Sequence, residues 1–342
     1  MRSTHAFFVC ACLFAPALVA AQDDRADFLY AISIDEPAFG RTVAVLDDVD
    51  GDGFPEFAVA SSAVGGGRVH LLSGIDGSSL RFLDSPQAGL PELFGRSMSL
   101  VPDVNDDGIA DLAIGAPDHM PIGSEDASGL VYIVDPTDMS ILHTLSSPAA
   151  VHDGSFGFSV DGYRDNQPDG LRGVLVGAPN EHGVATMEHS NSFAGRAYFF
   201  NGRTGELVHT FVNPTELAEQ DATQGNFGQS VAAVSGFRFF HVAEPGANFS
   251  TDTFTNTGRV YRYEELNQVF FTRNPMEIVT DARFGEQIAV VPNLDRENGI
   301  RPGLAVGIPD SLPEDPAMSF GRVEAFDHVA FNAINRNAAA PV

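Results

Sequence analysis

The chain is 342 residues long, with 46 acids against 19 bases, all of them arginine, and a formal net charge of −27. A field of that sign repels nucleic acid and anionic membrane and draws in divalent cations. Length alone suggests about two domains. A recurring unit overrules that, because each copy needs its neighbours to bury its apolar face.

Residues 1–21 read as a secretory signal. Arg2 and His5 precede an apolar run from Ala6 to Ala20, and Val19-Ala20-Ala21 offers small residues for cleavage. The run is short for a membrane span, and no stop-transfer segment follows it, so membrane insertion is not expected. Cys10 and Cys12 are the two cysteines and both lie in this signal. The expected product is secreted, extracellular or at the cell surface (the periplasm included), and has no disulfide. Its stability must come from elsewhere, and bound metal is one source.

The segment Asp27–Ile34 resembles a strand without a unit of its own. Five units then follow, each opened by a Phe-Gly pair: Phe39-Gly40, Phe94-Gly95, Phe156-Gly157, Phe227-Gly228 and Phe284-Gly285. Each continues into one apolar strand, a short turn, and a second strand that is apolar without alternation, as in Phe57–Ala60, Leu112–Ile114 and Val174–Val176. Such runs are buried on both faces. A third strand begins at a glycine (Gly67, Gly129, Gly195, Gly258, Gly321), and a weaker fourth follows in units one to four. Strand-only units of 55 to 71 residues predict an all-β propeller of four-stranded blades over residues 22–336, with 337–342 as a tail. The fifth unit has a poor fourth strand, so Asp27–Ile34 is expected to complete that blade and close five blades into a ring.

The second strands end in Gly115-Ala116-Pro117 and Gly177-Ala178-Pro179, with variants Ala243-Glu244-Pro245 and Gly307-Ile308-Pro309. With the Phe-Gly starts, these resemble the FG-GAP repeats of the integrin α-subunit β-propeller and its bacterial relatives. Integrin propellers have seven blades, against five units here, which leaves either a true five-bladed ring, the reading preferred, or an incomplete one closed by another chain; the first unit departs from the motif with Val59-Ala60-Ser61.

Between the first and second strands, unit one reads Asp48-Val49-Asp50-Gly51-Asp52-Gly53-Phe54-Pro55-Glu56 and unit two Asp103-Val104-Asn105-Asp106-Asp107-Gly108-Ile109-Ala110-Asp111. Hard oxygens at positions one, three and five, a glycine at six, a carbonyl at seven and an acid at nine suit Ca²⁺, which takes about six to eight oxygens. An EF-hand needs Glu at position twelve, where Val59 and Ile114 stand, so that reading fails. The family resemblance likewise implies Ca²⁺ at this loop. The expected ligands are Asp48, Asp50, Asp52, Phe54 and Glu56, then Asp103, Asn105, Asp107, Ile109 and Asp111. Asp165, Gln167 and Asp169 form a decayed third loop. Unit four has only the tight Ser235-Gly236-Phe237-Arg238.

No Gly-x-Ser-x-Gly elbow or His-Glu-x-x-His occurs, and no catalytic residue is assigned. Long insertions on the face opposite the metal loops suggest a ligand face, with His189, Phe193, Phe249 and Phe254 as contacts. The function expected is a secreted calcium-binding adhesion or recognition module for an extracellular protein or glycan. The alternatives are a hydrolase or lyase with acids in a central channel, and a structural surface component.

Overall fold

The computed structural model describes residues 31–61, 66–87, 93–119, 128–166, 170–181, 194–214, 225–247, 256–264, 266, 268–273, 281–295, 301–309 and 322–326. Nineteen strands form five antiparallel sheets in chain order. The first holds β1 (Thr42–Val45), β2 (Phe57–Ser61), β3 (Arg68–Leu72) and β4 (Ser79–Asp84). The second holds β5 (Ser97–Val101), β6 (Asp111–Ala116), β7 (Leu130–Asp135) and β8 (Ser140–Ser146). The third holds β9 (Ser159–Arg164), β10 (Arg172–Ala178), β11 (Arg196–Asn201) and β12 (Leu207–Val212). The fourth holds β13 (Val231–Val234), β14 (Phe239–Glu244), β15 (Arg259–Glu264) and β16 (Gln268–Arg273). The fifth holds β17 (Ile288–Asp295), β18 (Arg301–Ile308) and β19 (Arg322–Phe326). Each sheet is a meander whose neighbours in sequence are neighbours in space. This is an all-β propeller of five blades, four of them four-stranded among the described residues. No described helix is long and apolar enough to cross a membrane.

The core lies between blades rather than within them. One apolar cluster joins Val69 and Leu71 of the first sheet to Ile114 and Val134 of the second. Others join the second to the third, the third to the fourth, and the fourth to the fifth. Every residue of β6 is buried, because both faces of that strand meet a neighbouring sheet.

The motif glycines exist for this stacking. A Cβ on Gly177 would sit 1.9 Å from the Gly228 carbonyl oxygen of the next blade, and one on Gly115 would sit 2.1 Å from that of Gly157. The phenylalanine of each Phe-Gly pair packs on an aromatic of the third strand. Phe94 meets Tyr132 at 5.7 Å, Phe156 meets Tyr198 at 5.8 Å, and Phe227 meets Tyr261 at 5.4 Å between ring centroids.

Hydroxyls two residues after the first four Phe-Gly pairs link the innermost strands. The Thr42 hydroxyl donates to the Arg96 carbonyl (3.1 Å), Ser97 to that of Gly157 (2.8 Å) and Ser159 to that of Gly228 (3.0 Å). Ser230 Oγ accepts the Ile288 N–H at 3.0 Å. All five innermost strands line one central cavity of about 620 Å³.

The seam between the fifth and first blades differs. Gly40 has nothing within 4 Å of a built Cβ, and Gly307 meets only Gln287 of its own blade. Val43 and Val45 are 55% and 58% exposed, and Val323 is 71% exposed. The expected closing strand Asp27–Ile34 is described only from Ala31 onward, and Ala31–Ile34 forms no strand there. The Glu36 N–H bonds the Ile34 carbonyl at 2.8 Å. Asp27–Tyr30 and Asp327 onward lie outside the described residues.

Candidate metal centre

Both complete loops connect an innermost strand to the second strand of its blade, so they lie at one end of the propeller. Their internal wiring is the same. In the first, Asp48 accepts the N–H groups of Gly51 (2.8 Å) and Gly53 (2.9 Å), Asp50 that of Asp52 (3.1 Å), and Asp52 that of Phe54 (2.9 Å). In the second, Asp103 accepts from Asp106 (2.6 Å) and Gly108 (3.0 Å), Asn105 from Asp107 (3.0 Å), and Asp107 from Ile109 (2.8 Å). Gly53 and Gly108 stand at φ of 92° and 95°, a conformation in which a side chain would be strained. These bonds fold each loop into a cup and aim one carboxylate oxygen after another at its centre.

The ninth position closes the cup. One oxygen of Glu56 accepts the Val49 N–H at 2.5 Å, and one oxygen of Asp111 accepts the Val104 N–H at 2.6 Å. Both side chains are fully buried, and the second oxygen of each, Glu56 Oε1 and Asp111 Oδ1, has no hydrogen-bond partner. Burial raises both pKa values, Asp111 to about 7, and the neighbouring carboxylates push the same way. A buried acceptor left without a donor is costly, and a cation in the cup would satisfy it. The donor set is all oxygen, which suits a hard ion such as Ca²⁺ or Mg²⁺ over a transition metal.

The loops differ in how far their acids converge. Single carboxylate oxygens of Asp48, Asp50, Asp52 and Glu56 lie within 4.8 Å of one another, the one such acidic group among the described residues. In the second loop the amide of Asn105 donates to Asp107 (3.1 Å) and to Asp135 (3.0 Å). Arg172 from the third blade donates to the Asp103 carbonyl and, at 2.8 Å, to the Asp106 carboxylate, which Arg203 also pairs. Sequence reading missed both guanidiniums; nothing in the loop's own residues signals them.

The third loop follows another chemistry. Asp165 is nearly buried, and its Oδ2 accepts from Arg238 Nε (2.9 Å) and from a terminal guanidinium nitrogen (2.6 Å). Gln167 and Asp169 lie outside the described residues. So do His189, Phe193, Phe249 and Phe254 of the expected ligand face.

At the opposite ends of the second strands, buried carboxylates sit under tyrosines. Tyr198 donates to Glu181, and Tyr261 donates to Glu244 at 2.6 Å while Asn213 donates to the other Glu244 oxygen at 2.6 Å. Burial raises the Glu181 pKa to about 7 and also raises that of Glu244. A sequence signal existed: Glu181 and His119 both stand two residues after Gly-Ala-Pro, and His119 faces Tyr132 with ring centroids 6.4 Å apart.

A family model described as FG-GAP repeat matches residues 39–72 and 94–134, the first three strands of the first two blades with their complete loops. The chain carries FG-GAP repeats. Integrin alpha-5 of Xenopus laevis is 31% identical over 210 residues, covering 58% of this chain and 18% of that protein. Integrin alpha-7 of Homo sapiens is 29% identical over 157 residues, covering 41% of this chain and 12% of that protein. The matched stretch therefore spans less than a fifth of either relative. Among solved structures, the Dos1 propeller aligns with a TM-score of 0.44 at 14% identity, covering 85% of this chain and 61% of that one. In this FG-GAP chain the motif is the blade-to-blade joint described above, and the loops follow directly from it.

Proposed function

We propose that this integrin-α-like FG-GAP propeller is a calcium-stabilised recognition module that works outside the cell and adheres to a protein or glycan. One pair of observations carries the metal part: four carboxylates converge in the first loop, and one buried oxygen of Glu56 lacks any donor. The ligands are then Asp48, Asp50, Asp52, Glu56 and the Phe54 carbonyl, and in the second loop Asp103, Asn105, Asp107, Asp111 and the Ile109 carbonyl. The ion neutralises the cup and fixes the turn between two strands; the oxygens that hold it come from the loop itself, so its role is structural.

Recognition rests on the likeness to integrin α chains and on the long connections at the opposite end of the blades, which a rigid scaffold presents. Export rests on the N-terminal signal and on the same likeness. A channel acid pair of glycosidase type gains no support, since Asp161 is the one carboxylate among the described lining residues.

The test screens the purified full chain against extracellular-matrix proteins and glycans, with Ca²⁺ and with EGTA. Saturable binding of one ligand class supports the reading. Turnover of a glycan without stable binding would replace it with an enzyme.

A further inference from the structure

Residues that directly follow four of the Phe-Gly pairs line the central cavity: Arg41, Arg96, Phe158 and Gln229; Glu286 holds the same sequence position in the fifth blade. Two adjacent blades thus place guanidiniums at one cavity mouth, and burial first, then the charge of Arg41, lowers the pKa of Arg96. Arg96 lies 4.3 Å over the Phe158 ring.

Neither Arg41 nor Arg96 makes an ion pair or side-chain hydrogen bond among the described residues. Acids outnumber bases more than twofold, and several other arginines are paired: Arg68 with Glu36 and Asp84, Arg238 with Asp165, and Arg283 with Glu286. Glu286 and Asp118 act on Arg96 only through space. Asp118 acts in the same way on Arg41, so both arginines feel a nearby carboxylate without being ion-paired to it. Two like charges left unpaired at the mouth of a cavity form a receptor for an anion from outside.

The cavity below narrows the anion's class. Its volume of about 620 Å³ lies within the range of small-molecule sites. The hydroxyls of Ser97 and Ser159 spend their protons on backbone carbonyls, so their oxygens remain free to accept. Gln229 and Gln287 add donors and acceptors to the lining. Deeper in, Asp161 already accepts from Ser99 (2.9 Å) and from the Ala233 N–H (2.8 Å), and its charge disfavours a second anionic group there. The order from rim to depth is cationic, then hydroxyl and amide, then acidic.

We propose that this cavity binds a small polyhydroxylated monocarboxylate of the sugar-acid class, its carboxylate held between Arg41 and Arg96 and its hydroxyls directed at the serine and glutamine side chains. The site is at the opposite end from the metal loops, on the same end as the proposed adhesion face but inside the cavity mouth, and it stands if the calcium and adhesion readings fail.

Glucuronate is the probe, titrated calorimetrically into the full chain at low ionic strength in EGTA, so that calcium bridging plays no part. Glucose and sulfate are run alongside. The expected result is saturable glucuronate binding, with glucose and sulfate each weaker by about tenfold or more, and a loss of about tenfold or more in Arg41→Gln and in Arg96→Gln. Arg41 is exposed, so Arg41→Gln carries the test if Arg96→Gln does not fold. Absent glucuronate binding, or equal affinity in a variant that melts as the parent does, overturns the site. Sulfate binding as tightly as glucuronate overturns the ligand class, and so does equal binding of glucose.

Discussion

Replacing Glu181 with Gln should change how stability depends on pH. Glu181 is 1% exposed, and burial lifts its pKa from 4.5 to about 7, against the opposing pull of the Ser147 and Tyr198 hydroxyls and of Arg196. The folded state therefore holds a proton that the unfolded chain has released, and stability falls as pH rises from about 4.5 through about 7. Moving from pH 5 to pH 7.5 then costs roughly 2–3 kcal/mol through this group alone. Asp161, lifted to about 6 by burial, and Glu244 contribute with the same sign. A glutamine can still accept from Tyr198 and has no charge to desolvate, so Glu181→Gln should lose about that much of the wild-type pH slope. Urea melts at the two pH values, in EGTA throughout, give the free energies. Identical slopes for parent and variant would show that Glu181 is solvated or compensated as a carboxylate, and would refute the reasoning.

Three other outcomes are expected. Chelation should lower the melting temperature, because an ion at about a hundred times its dissociation constant contributes ~2.7 kcal/mol per site; an unchanged melt removes the structural-ion proposal. Asp52→Asn should abolish a tighter calcium site and Asp107→Asn a weaker one, since Arg172 and Arg203 crowd the second loop and a guanidinium ~8 Å from a divalent ion costs it about 1 kcal/mol even in a water-like dielectric; calorimetry of the two variants reads the order, and the reverse order refutes it. Gly177→Ala should destabilise by roughly 3 kcal/mol or more, whereas Gly307→Ala should be far milder, because only the former drives a Cβ into a neighbouring blade's backbone; equal losses in thermal melts would show that Gly307 is packed as the other motif glycines are.

These contrasts show what a single sequence discloses. The Phe-Gly and Gly-Ala-Pro marks were legible because backbone meets backbone there, and only glycine fits wherever Gly115 or Gly177 touches the next blade. Strand positions followed from the same marks, since each strand is tied in register to its neighbours within one unit. The loop ligands were legible because Asp48 to Glu56 close a cup within nine consecutive residues. The arginines at that face were not. Arg172 reaches Asp106 across 66 positions, and Arg238 reaches Asp165 across 73. Nothing local distinguishes them from surface arginines.

Taken around the propeller, those arginines give the decay of the loops a physical meaning. The first loop has four converging acids, and Ala110 stands in the second blade where Arg172 stands in the third. The second loop has its acids and two guanidiniums from the next blade. The third keeps Asp165 at its first position, paired to Arg238 from the turn that replaces the fourth loop. The first three bends between the first two strands of a blade gather negative charge, and that charge must be met for the bend to pack against its neighbour. On the calcium reading proposed above, a free ion, an ion aided by arginine, and arginine alone are three solutions to one electrostatic problem. The third blade then keeps its counter-charge within the chain, in Arg238, and should hold together when calcium is withdrawn.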